Sequence, residues 1–178
     1  DETIADDDFM SENAKPFWGM RGRDDLTTIR DMGANAVRLY GNNPNKSHVA
    51  FLSAALVKGL SVIPGMSDYP FTQMPGNCNA TGFNCYHELK SAYLGNLNRG
   101  FLLPNRTYHP ALSHVIVINE PDMKIGVSKD VEGRVFAPHN FALAVISAVD
   151  GMLDAEKEAN VSGPLVNFTA TVAFANCR

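Results

Sequence analysis

The chain is poor in cysteine, with three in 178 residues, and it contains one Trp. It has no apolar run approaching the roughly eighteen residues of a membrane span, which excludes a transmembrane helix within it. It has no basic run: 15 basic residues stand against 19 acidic ones, net −4, so the electrostatic footprint of a nucleic-acid binder is missing. No Gly-rich phosphate turn follows any strand-like segment, which argues against a dinucleotide-binding sheet. No Gly-x-Ser-x-Gly elbow is present either. Gly65-Met66-Ser67-Asp68-Tyr69 begins like one and lacks the second Gly, so a serine hydrolase is disfavoured. Neither an N-terminal Met nor an apolar signal-peptide core stands at the start, the pattern of a processed or partial chain.

What is present points to one globular unit outside the cytosol. Hydrophobic residues make up 45% of the chain, enough for one sizeable core. Acidic residues gather at the start, Asp1-Glu2 and Asp6-Asp7-Asp8, and read as a solvated tail within an N-terminal segment 1–23. Glycosylation sequons occur at Asn45, Asn79, Asn105, Asn160 and Asn167. With sixteen Asn, chance supplies roughly one or two, so the excess favours a secreted or cell-surface protein carrying N-linked glycans. Cys78 and Cys85 flank a Gly/Asn-rich loop that no helix or strand pattern supports, which suits a disulfide. A metal site there fails on ligand count, because His87 is the only nearby His. Cys177 is left over and calls for a partner beyond this sequence or on another chain.

From residue 24 onward the pattern alternates between helix and strand. Residues 24–32 have apolar positions at helical spacing, an Asp at the start to cap free amides, and Gly33 at the end. Residues 35–41 are a strand-length apolar run. Residues 47–58 form a second helix with Phe51, Leu52, Ala55 and Leu56 on one face and Gly59 closing it; residues 60–66 are the second strand. A long connection through the cysteine loop, of a length usually associated with function, leads to a helix over 86–98. The strand 114–118 follows, continuously apolar and so buried on both faces. After a polar loop comes a helix over 138–158, with Phe141, Val145, Ala148, Val149, Met152 and Leu153 as its buried stripe. Residues 165–174 read as a last strand, and Phe17-Trp18-Gly19-Met20 as a weaker early one. Such alternation predicts an α/β fold with a parallel sheet covered by helices. A doubly wound sheet and a TIM-barrel-like (β/α)8 fold both fit. A complete barrel needs about 250 residues, so residues 24–178 would supply its first half or slightly more.

In such folds the chemistry lies at the C-terminal strand ends. Those positions hold Arg38, Tyr40 and Asn42, then Ser67, Asp68 and Tyr69, then Asn119, Glu120 and Asp122. Three segments together, Gly33-Ala34-Asn35-Ala36-Val37-Arg38-Leu39-Tyr40, Gly59-Leu60-Ser61-Val62-Ile63-Pro64-Gly65 and Val117-Ile118-Asn119-Glu120-Pro121, resemble retaining glycoside hydrolases of the (β/α)8 clan. The first is most similar to fungal β-1,3-glucanosyltransferases and more loosely to β-glucanases and cellulases, and the resemblance covers about residues 24 to 122.

The resemblance implies roles. Glu120 matches the general acid/base and Asn119 the residue that hydrogen-bonds the sugar 2-hydroxyl. Arg38 matches an arginine that keeps the nucleophile ionised, and Tyr40, Asp68, Tyr69 and Asp122 would line the sugar subsites. No metal or other cofactor is called for. The nucleophile of this family lies on a late strand, and no residue here matches it: Asp130 and Glu132 fall in a loop, Glu156 and Glu158 on a helix. Two functions follow. One is a secreted hydrolase or transglycosylase acting on β-glucan, its barrel completed by a downstream segment or a second chain. The other is a non-catalytic carbohydrate-binding or structural glycoprotein on a degenerate barrel.

Overall fold

The computed structural model describes residues 8–121, 125 and 138–172. A 3-10 turn, Glu12–Ala14, leads into a short helix α1 (Lys15–Trp18), then α2 (Asp25–Asp31), β1 (Ala36–Leu39), α3 (Val49–Val57) and β2 (Ser61–Pro64). A one-turn helix α4 (Tyr69–Thr72) precedes α5 (Tyr86–Asn96), which widens into a π turn, Leu97–Phe101. Next come β3 (His114–Asn119), α6 (Pro138–Glu158) and β4 (Asn167–Thr171).

Among the described residues both strand pairs are parallel. In β1–β2, Arg38 lies opposite Ile63 and Leu39 opposite Pro64. In β3–β4, Asn119 lies opposite Thr171, past an irregularity between Ile116 and Ile118. Parallel bridges, Val62 with Leu112 and Gly65 with Ile116, join the two pairs. The strands therefore follow one another in chain order. Gly65 is required where it stands: a Cβ there would lie 2.4 Å from the Tyr40 carbonyl oxygen.

One core runs under the sheet, built from Leu26, Val37, Phe51, Leu52, Val62, Leu89, Tyr93, Val115, Val117 and Met152 among others. Helix α6 occupies the span expected for it, and of the expected stripe Ala148 and Met152 are fully buried, Phe141, Val145 and Val149 pack partly buried against the core, and Leu153 turns outward. Ala144, Ala155 and Ala159, all small, complete the buried face. The reason is the close crossing with α5, where a Cβ on Gly151 would meet the Tyr86 carbonyl oxygen at 2.3 Å. Only small side chains fit between helices this near. Leu56 likewise turns outward, while Phe51, Leu52 and Ala55 are buried as expected. The Cys78–Cys85 disulfide is present, with Cα atoms 4.9 Å apart and both residues buried.

The N-terminal segment differs most from expectation. Phe17 and Trp18 lie in α1 and not in a strand, and Trp18 packs edge-on against Phe51 at 5.4 Å. Trp18 is core, with its Nε1 donating to the Ser11 carbonyl. Asp8 is no solvated tail residue. Its carboxylate accepts from Met10 N at 3.0 Å and meets His48 Nε2 at 3.0 Å, with both side chains fully buried. Asp24 precedes α2 but caps no amide; its carboxylate accepts from the Thr27 hydroxyl at 2.7 Å instead.

Candidate active site

The C-terminal ends of β1, β3 and β4 converge on one polar cluster. Arg38 Nη2 donates to Asn119 Oδ1 at 2.5 Å and lies 3.4 Å from Thr171 Oγ1. Thr171 Oγ1 in turn donates to Asn119 Oδ1 at 2.8 Å. The Arg38 guanidinium stacks over the Tyr40 ring, 4.6 Å from its centroid. Asn119 is buried, so two donors from different strands fix its amide. The adjoining Glu120 is half-buried, its amide donates to the Thr171 carbonyl at 2.9 Å, and its φ is +51°. Asp24, Phe83, Arg106 and Asn160 share this uncommon conformation, and Glu120 is the one that adopts it directly after a strand.

Asp68 and Tyr69 are placed apart from that cluster. They line a cleft of about 970 Å³ formed by the loops after β1 and β2 and one face of α5. Arg38, Tyr40, Asn119 and Glu120 are not in its lining. The strand-end residues thus divide into a Glu120 cluster and a separate cleft. Asp122, Asp130, Glu132 and Cys177 lie outside the described residues.

Behind the sheet a buried hydrogen-bond chain links three elements. The Tyr93 and Tyr108 hydroxyls are 2.7 Å apart, and Tyr108 donates to Glu156 Oε1. Burial pushes the Glu156 carboxyl above its ordinary range, and the Tyr108 hydrogen bond only partly offsets this. Burial also raises Tyr108, with the Glu156 contact adding to it. His109 is buried too, which lowers its pKa, and its Nδ1 accepts from Ala111 N at 3.2 Å. None of these groups opens into the cleft, and they serve the core. Asn45, Asn79, Asn105, Asn160 and Asn167 are all exposed, as glycan attachment requires. Among the described residues no helix is long and apolar enough to cross a membrane.

Comparison with family models, with curated proteins and with solved structures gives no match. The assignment of chemistry therefore rests on the geometry. Thr171 is the one member of the Glu120 cluster that sequence reasoning missed. The rule that located the others, polar residues at strand ends, would have found it had β4 been ended at residue 171 and not at 174.

Proposed function

We propose that the chain is part of a secreted or cell-surface glycoside hydrolase or transglycosylase on a (β/α)8-type barrel, acting on β-glucan-type polysaccharide with Glu120 as acid/base. The observation that carries this reading is Glu120 itself. It stands at the end of a buried parallel strand, in left-handed backbone, beside an Asn119 amide held by Arg38 and Thr171. The consecutive order of the parallel strands supports a singly wound barrel over a doubly wound sheet, whose order reverses at a switch point.

In a retaining reaction Glu120 gives its proton to the glycosidic oxygen as the bond to C1 breaks and a second carboxylate bonds to C1. The Glu120 carboxylate then takes a proton from water or a sugar hydroxyl, whose oxygen attacks C1 and releases the second carboxylate. Water as acceptor gives hydrolysis, and a sugar gives transglycosylation. Asn119 Nδ2 is free of the Arg38 and Thr171 bonds, which both end on Oδ1, and would donate to the sugar 2-hydroxyl. The second carboxylate must lie about 5 Å from Glu120, and no residue of this sequence is assigned to it.

That gap favours one alternative, a non-catalytic glycan-binding glycoprotein that retains the cleft. Assay of Glu120→Gln on laminarin-type glucan, in the polypeptide or complex that also supplies the second carboxylate, separates the two. The enzyme reading expects turnover to fall by about 10²–10⁴-fold. Turnover equal to wild type overturns the acid/base role, and wild-type protein that binds the glucan without cleaving it supports the alternative.

A further inference from the structure

Of the five sequon asparagines, Asn45 alone lies in the lining of the cleft formed by the β1 and β2 loops and α5. The turn that carries it is fastened to the rim. Lys46 N donates to the Asn43 carbonyl at 3.0 Å, and Asn45 N donates to Asn43 Oδ1 at 3.0 Å. Arg99 Nη1 donates to the Pro44 carbonyl at 3.1 Å. Gly95 lets that carbonyl lie against α5, since a Cβ there would meet it at 2.8 Å. Asn45 and Ser47 are both exposed, and the Asn45 side chain makes no hydrogen bond to any described residue. The nitrogen that would carry a glycan is therefore uncommitted. Asn160 differs, because its Nδ2 donates to the Glu158 carbonyl at 3.3 Å.

We propose that the N-linked glycan of Asn45 roofs this cleft and closes it to free ligands. The proposal rests on the reading of the chain as a secreted glycoprotein and is independent of the Glu120 chemistry. A short covalent tether presents the first sugars to the lining at an effective concentration on the order of 1 mM, so contacts too weak to hold a free sugar hold a tethered one. The cleft offers such contacts: Gln73, Ser91 and Asn98 line it and are exposed. Its volume of about 970 Å³ is near the top of the roughly 300–1,000 Å³ that small-molecule sites span, so there is room for tethered sugars. With the roof in place the chain presents no open pocket at Asp68 and Tyr69. The Glu120 cluster, which is not part of the lining, stays accessible.

The test uses the full chain secreted from eukaryotic cells. Ser91→Cys places a reporter thiol inside the cleft, and Ser53→Cys, exposed on α3, places one outside it. Labelling by a bulky maleimide is followed by mass spectrometry of the peptide carrying each reporter, and the same spectra read glycan occupancy at Asn45. Asn45→Gln and Ser47→Ala each destroy the sequon, the second without touching Asn45. Both are expected to speed labelling at position 91 by about tenfold, the factor for a cleft open roughly one tenth of the time, and to leave position 53 unchanged. Equal rates at position 91 with and without an occupied Asn45 overturn the proposal. So does a secreted chain glycosylated at other sequons and bare at Asn45. A chain with no glycan at any sequon would fail the secretory reading itself, and the proposal with it.

Discussion

Left-handed backbone costs a non-glycine residue about 1–2 kcal/mol, and Glu120 is held there by its neighbours. Its amide is bonded to Thr171 O, the preceding Asn119 is pinned by Arg38 and Thr171, and the following Pro121 is buried. The identity of Glu120 as the strand-end carboxylate was legible in the Asn-Glu-Pro triplet. Its backbone conformation was not, because the bonds that impose it come from residues 81 and 52 positions away from Asn119. Asp8 was misread for the same reason. A cluster of acids looks solvated until a partner 40 residues on, His48, is folded against it. Glu156 gives a test at this scale. Its folded-state pKa is raised, so it contributes stability below its unfolded value of 4.5 that is lost as pH rises through the folded value. His109, with a lowered pKa, works oppositely: its contribution is present above 6.5 and is lost as pH falls through the folded value. The difference between wild type and Glu156→Gln isolates the first effect. Thermal melting should show wild type losing stability relative to Glu156→Gln as pH rises from 4.5 toward 7, and parallel curves would contradict this.

For whole elements, helix extents were readable and helix faces less so. The span of α6 followed from its Pro start and its periodicity. Its inward face followed in part: Ala148 and Met152 are buried, but apolar size suggested Leu153, which is exposed, while Gly151 and Ala155 sit at the crossing with α5. Packing distance between two helices is a tertiary property that one helix's pattern does not carry. The crossing makes Gly151→Val a direct probe, since even a Cβ meets backbone at 2.3 Å. Denaturant unfolding is expected to show a loss of about 1–3 kcal/mol, the usual cost of overpacking. A variant as stable as wild type would mean that α5 and α6 separate without cost.

Across the molecule, strand–helix alternation announced a parallel sheet, but chain order of the strands was fixed only by hydrogen bonds such as Met66 N to Ile116 O at 2.8 Å. The division between the Glu120 cluster and the α5 cleft was likewise invisible, because both follow from strand ends that a sequence presents as equivalent. The secretory reading is tested at this scale. Expressed through a eukaryotic secretory pathway, the chain should carry N-glycans at several of its five exposed sequons, seen by mass spectrometry as mass lost on enzymatic deglycosylation. A product of unmodified mass would contradict it.

The central claim is that Glu120 donates a proton to a departing glycosidic oxygen. It is tested most directly, in the polypeptide or complex that also supplies the second carboxylate, by comparing Glu120→Gln on laminarin with its action on an aryl β-glucoside whose phenol leaves without protonation. The account predicts that kcat/KM on laminarin falls by at least about 10²-fold while that on the aryl glucoside, which reports bond cleavage to the leaving group, stays within about tenfold of wild type. Equal losses on both substrates, or no loss on laminarin, would contradict it.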